Sequence, residues 1–257
     1  MKPTPLFSNI QTGAQTYDNA DKATYKGITI KTLILFALTV ATAVAAGVFL
    51  TNIFRNPEGK LTNDTLTILI IMIIGSAILT LVSAIVGRIS YKLAMPFGII
   101  YSLSMGFLLG VVTSLVELLV PGIGFAAALG TLIIFAVMLL LFFTGVVKNG
   151  RVLRAILIGT LLSALSLGLF TLILVLTGVL SNMQYLGLLL AIEGLYLIYA
   201  VVMLCFNFLE AEAVVKNGAV KNAEWSVALG LMSTLAYIYV ELLRILLIIA
   251  SIVGNRS

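Results

Sequence analysis

Seven stretches of this chain stay apolar for the length of a membrane: residues 28–50, 66–87, 97–119, 123–147, 155–180, 185–209 and 226–253. A helix rises ~1.5 Å per residue and the hydrocarbon core is ~30 Å thick, so about 20 apolar residues cross it. Lipid offers bare backbone no hydrogen-bond partner, so these runs must be helices. Composition agrees, with 61% of residues hydrophobic and 10% charged, where a soluble domain carries ~25% charged residues. The expected fold is an all-α membrane protein, a seven-transmembrane-helix bundle. Residues 1–27 read as a polar N-terminal tail, 28–253 as a single membrane domain and 254–257 as a short external C-terminus. The leader is polar and the first apolar run is too long for a signal-peptide core, so no signal peptide is expected.

The breaks carry turn or charge signals: RNPEGK, GRISYKLAMP, the Pro121-Gly122 step, KNGRVLR, GVLSNMQ and AEAVVKNGAVKNAE. KNGRVLR reads as a tight helical hairpin. With alternating spans, one side collects eleven basic residues (Lys2, Lys22, Lys26, Lys31, Arg88, Lys92, Lys148, Arg151, Arg154, Lys216, Lys221) and the other three (Arg55, Lys60, Arg256). That bias predicts a cytoplasmic N-terminus and an external C-terminus. Two small-residue spacings, GFLLG (Gly106, Gly110) and ATAVAAG (Ala41 to Gly47), read as helix packing. None of the five prolines sits in mid-span, which argues against the interrupted helices of many transporters.

The residue inventory removes most chemistry. Histidine is missing, and Cys205 is the one cysteine. Histidine bases, the usual zinc and serine membrane proteases and an intrachain disulfide go with them. The last span lacks the lysine of a retinal protein, and the aspartates (Asp18, Asp21, Asp64) lie outside the spans or at an edge, unlike those of a membrane aspartyl protease. Phosphate-cradling glycine loops and basic–aromatic nucleic-acid surfaces are also missing. The expectation is a protein that is not an enzyme, holds no cofactor and binds no nucleic acid.

Charge at the bilayer centre costs ~2.5–3.5 kcal/mol per residue on insertion scales, so each such residue needs a partner or a water path. Glu193 lies in the sixth span, and Glu241 and Arg244 lie in the seventh, inside YVELLRIL. Glu241 and Arg244 are i, i+3 neighbours. They read either as a pair that makes the helix insertable or as the lining of a polar interior. At 1.5 Å per residue Glu241 lies ~21 Å from the inner edge and Glu193 ~18 Å, so the two carboxylates can share a level. Close carboxylates rarely both ionise, so such a site would take up a proton or a cation. Arg88, Glu117 and Glu210 lie near span ends.

Three segments carry a resemblance: GIIYSLSMGFLLGVVTSLVE, LGTLIIFAVMLLLFFTGVVK and LCFNFLEAEAVVKNGAVKNAEWSVALGLMSTLAYIYVELLRIL. With the seven-span plan they resemble the Bax inhibitor family, in its bacterial branch, from about Tyr25 to about Ile249. The resemblance implies a bundle with the last helix central and a pH-sensitive calcium leak. It implies a proton-sensing pair of acids on spans six and seven, and a span-two arginine that helps hold the closed state. The span-seven acid then falls on Glu241 and the arginine on Arg88. The span-six acid position falls on Cys205, or on Asn207 two residues on, neither charged at neutral pH. Glu210 or Glu193 can stand in. The family's acid in span three is also missing, where this chain reads Ser104-Met105-Gly106. A path with fewer carboxylates holds calcium less well, because hard divalent ions want several oxygen ligands.

Two functions from different classes follow. One is a passive cation conduit, with calcium or another cation as the transported ion, gated at Glu241 with Arg244 offsetting its charge and Arg88 locking the inner end. The other is a non-conducting regulator that binds membrane proteins, for example a membrane protease. A proton-coupled small-molecule transporter has only Glu193 and Glu241 behind it. The bilayer is a partner in every case.

Overall fold

A computed structural model describes residues 22–55, 63–144, 150–177 and 181–254. Most of the polar tail and the ends of several loops, with Lys2, Asp18, Asp21, Lys60, Lys148 and Arg256, lie outside the described residues. Seven helices follow in order: α1 (Tyr25–Arg55), α2 (Asn63–Ile89), α3 (Ala94–Leu119), α4 (Ile123–Phe143), α5 (Gly150–Leu176), α6 (Asn182–Lys216) and α7 (Ala223–Gly254). Each is long and apolar enough to cross a membrane. The chain is an all-α seven-helix membrane bundle. No residue from Ala223 to Leu243 is exposed, so α7 is enclosed by other elements over most of its length.

The largest departure from the apolar pattern is α6, which runs to Lys216 rather than stopping near residue 209. Buried Phe208, Ala211 and Val214 continue one apolar face at helical spacing, and Glu212 pairs with Lys216 one turn on. The helix stops at Asn217-Gly218. Gly218 takes φ +62°, and Ala219 N–H reaches back to the Val214 carbonyl at 3.1 Å, which closes the carbonyl end in a glycine cap. At its other end, Ser181 and Gln184 exchange side-chain-to-backbone bonds of 3.0 and 3.4 Å, a capping box written into SNMQ.

The chain divides into two compact units, residues 1–115 with 210–233, and residues 116–209 with 234–257. In the first, α1 and α3 lie side by side and parallel. A Cβ on Gly106 would meet Thr39 and Thr42, and one on Gly110 would meet Ala43 and Ala46. The two small-residue spacings of the sequence therefore pack against each other, and glycine is what lets the backbones approach. Thr80 of α2 donates to Ser104 of α3 at 2.8 Å.

The same unit ties the start of α1 to the start of α7. Lys22 pairs with Val220, and Ala23 N–H donates to the Ala219 carbonyl at 2.8 Å. Thr24 caps α1 through its hydroxyl, which accepts from Gly27 N–H at 3.0 Å. Glu224 lies buried beneath this segment. Its Oε1 accepts from Thr24 N–H at 2.7 Å, and its Oε2 stands 2.7 Å from Lys31 Nζ. Lys31 also donates to the Lys221 carbonyl at 3.1 Å and sits 5.2 Å over the Trp225 ring.

In the second unit the α3–α4 turn is closed by Glu117. Its carboxylate accepts from Gly122 N–H at 2.8 Å and Gly124 N–H at 3.1 Å, capping a helix whose N-cap, Gly122, offers no side chain. Val116, Ile123, Ala127 and Leu243 form a core cluster here, and Phe208 of α6 packs between Phe135 and Phe142 of α4 at 5.9 and 5.3 Å.

Four variants test these contacts by thermal unfolding in detergent. Alanine gains ~1 kcal/mol over glycine in a helix, so Gly75→Ala, with nothing within 4 Å of the new methyl, should hold or raise Tm. Gly110→Ala should lower it, because the methyl meets α1 backbone and overpacking costs ~1–3 kcal/mol. Lys31→Met should cost on the order of 3 kcal/mol by leaving a buried carboxylate unpaired. Adding Glu224→Gln to Lys31→Met should recover part of that loss.

Candidate intramembrane proton site

In the second unit α6 and α7 run antiparallel and share a polar seam. At one end the Asn207 amide donates to the Thr234 hydroxyl at 2.6 Å. In the middle the Tyr199 and Tyr237 rings meet edge-on at 6.4 Å. At the other end Arg244 stands between two carboxylates. Its Nη1 is 3.7 Å from Glu193 Oε2 and 3.7 Å from Glu241 Oε1. The seam follows from helical spacing. Thr234, Tyr237, Glu241 and Arg244 recur at three- and four-residue steps on α7, and on α6 Glu193, Tyr196 and Tyr199 recur at three-residue steps with Asn207 eight residues further.

Exposure is graded across the triad. The Glu241 side chain is 1% exposed, Glu193 14% and Arg244 53%. The two carboxyl groups stand beside each other, with the Tyr237 hydroxyl next to Glu241. Oε2 of each carboxyl is buried and has no hydrogen-bond partner among the described residues. At 3.7 Å the guanidinium neutralises charge without making a hydrogen bond.

This arrangement has simple stoichiometry. Two carboxylates and one guanidinium sum to one negative charge. With one proton on the pair they sum to zero, and that proton gives the carboxyls a hydrogen bond that ionised acids cannot make. In a low-dielectric interior the two states differ in what they demand, because the charged one needs water or a cation. The triad can therefore hold a proton or exchange it for a cation.

The other residues singled out in the sequence lie elsewhere. Asn207 faces Thr234, so the span-six position and Glu241 are not partners, and a neutral amide–hydroxyl bond occupies that crossing. Cys205 is buried, and its thiol donates to the Val201 carbonyl one turn back at 3.3 Å. In the first unit Arg88 lies within electrostatic reach of Glu210 and of Tyr101. Glu210 thus stands by the span-two arginine. Thr234 and Glu224 join these polar contacts without standing out in the sequence. Thr234 has a signal all the same, since it falls on the stripe of Glu241 and Arg244. Glu224 has none, because its partners Thr24 and Lys31 lie about two hundred residues away.

A family model described as Bax inhibitor 1 like matches residues 4–251, and the chain belongs to that family. Comparison with curated proteins and with solved structures gives no match. The class that fold and family define is a seven-helix integral membrane protein of the Bax inhibitor kind.

Arg244→Met should lower Tm in detergent, at a cost in stability below the ~3–5 kcal/mol of a fully buried broken pair, since Arg244 is half-exposed. Adding Glu241→Gln should restore much of the loss, because the excess negative charge is then gone. Additive losses in this double-mutant cycle would show that the three groups do not form one electrostatic unit.

Proposed function

We propose that this protein is a passive cation leak of a bacterial inner membrane, with calcium as the ion by family resemblance. A proton held by Glu193 and Glu241 gates it. The observation that carries the reading is the Glu241 carboxyl, buried in a membrane helix beside a second carboxyl with one guanidinium between two acids. With the proton on, the triad is neutral and offers a passing cation nothing. With the proton off, it carries one negative charge that a cation or water must meet. Conduction then rises with pH. Arg88 beside Glu210 supplies a second closing contact, at the end of the bundle where α2 and α6 finish. The excess of lysine and arginine at that end supports a cytoplasmic N-terminus. No step in this cycle makes or breaks a covalent bond other than a proton's, so the protein is not an enzyme.

A non-conducting regulator, binding membrane proteins such as a membrane protease, remains the second reading. The neutral Asn207–Thr234 bond favours it, as does the lack among the described residues of any group of three or more metal-ligating side chains able to hold a metal ion. On that reading the triad is structural.

Calcium flux into liposomes, measured over a series from about pH 5 to about pH 8 with sodium and potassium as controls, separates the two. The leak reading expects flux to climb several-fold across the series and Glu241→Gln to flatten the profile. Unchanged pH dependence in Glu241→Gln, or no flux above empty liposomes with partners captured by crosslinking in native membranes, would favour the regulator.

A further inference from the structure

We infer that the Glu193–Glu241 pair exchanges its proton with the membrane face at which α7 ends, by way of Arg244, and is shut off from the face at which α7 begins. The inference rests on the gating role proposed above and adds a direction to it.

The two halves of α7 differ in exposure. Every residue from Ala223 to Leu243 is buried or half-buried, and Arg244 is the first exposed one. Below the carboxyls, toward the start of α7, Ile238, Leu235, Leu204 and Cys205 are buried, and the Asn207–Thr234 bond closes the seam at 2.6 Å. Above them the guanidinium is 53% exposed, while the carboxylates it neutralises are nearly covered.

An exposed guanidinium in a membrane helix does not stay dry. On insertion scales its cost is ~2.5–3.5 kcal/mol, which it escapes by drawing water or headgroups from the nearer interface. Arg244 is about 15 Å along the axis from Gly254 and about 32 Å from Ala223 at ~1.5 Å per residue, so that interface is the one at the end of α7. The guanidinium is also loosely held, at 3.7 Å from each carboxylate and without a hydrogen bond to either. It can swing aside and admit water to the buried oxygens.

Among the described residues, the ionisable groups acting on Glu241 are Glu193 on α6 and Tyr237 and Arg244 on α7, and Tyr196 and Tyr199 of α6 act on Tyr237. The residues of α3 and α4 packed against Leu242 and Leu243 are apolar: Val116, Val120, Ile123 and Ala127. With the N-terminus cytoplasmic, the site reads external pH.

Cysteine accessibility tests the direction without relying on conduction. In a Cys205→Ala background, Arg244→Cys and Thr234→Cys are each treated in oriented proteoliposomes with a membrane-impermeant thiol reagent on one side at a time. Ser251→Cys, exposed near the end of α7, is the positive control. The expected result is labelling of Arg244→Cys from the α7-end side alone and no labelling of Thr234→Cys from either. Labelling of Arg244→Cys from the opposite side, or from neither, overturns the inference. A one-sided pH change on the unsubstituted protein guards against misfolding of the variants. Calcium flux should change several-fold when pH is stepped on the α7-end side and stay constant when it is stepped on the other. The reverse pattern overturns the direction and leaves the gating role standing. No response on either side overturns the gating role, while the labelling result still decides which face the site meets.

Discussion

Two acids share one base inside a membrane bundle, and the polar seam between α6 and α7 is arranged around that count. Water would screen the surplus charge of Glu193, Glu241 and Arg244, but the interior of a helical bundle cannot. The surplus is met by a proton, by a cation or by water that follows the guanidinium. Each option changes what the seam between α6 and α7 contains. A buried acid with a matched base would be inert by comparison, since nothing would be left to titrate.

The rest of the fold holds that count in place. The Asn207–Thr234 bond ties α6 to α7 two turns away without adding charge. Leu242 and Leu243, directly after the acid, pack into α4 at Gly130 and Ala127, which fixes the rotation of α7 and so the direction in which Glu241 points. At the start of the same helix, Glu224 is clamped by Thr24 and Lys31.

Local pattern predicted much of this. Seven spans follow from apolar run length, and the i, i+3 approach of Glu241 and Arg244 follows from helical geometry. The small-residue spacings around Gly106 and Gly110 and around Ala41 to Gly47 are visible as packing surfaces, though their mutual contact is not. The end of α6 is mis-set by hydropathy, because Glu210, Glu212 and Lys216 look like a loop until Phe208, Ala211 and Val214 are seen on one buried face. The expected pairing of the span-six position with Glu241 gives way to Asn207 against Thr234, a matter of the relative slide of two helices that no single-chain pattern encodes.

By itself, the sequence determined the solvent of this protein, the number of its crossings and the few ionisable groups placed where lipid should be, because those depend on composition and on one helix at a time. Tertiary structure alone decided that Glu193 and Glu241 meet at the same guanidinium, that Asn207 does not join them and that Glu224 takes Lys31 from the far end of the chain. The reason is that contacts between helices depend on rotation and register. Those are set by the sum of many weak side-chain packings, and no one segment contains that sum.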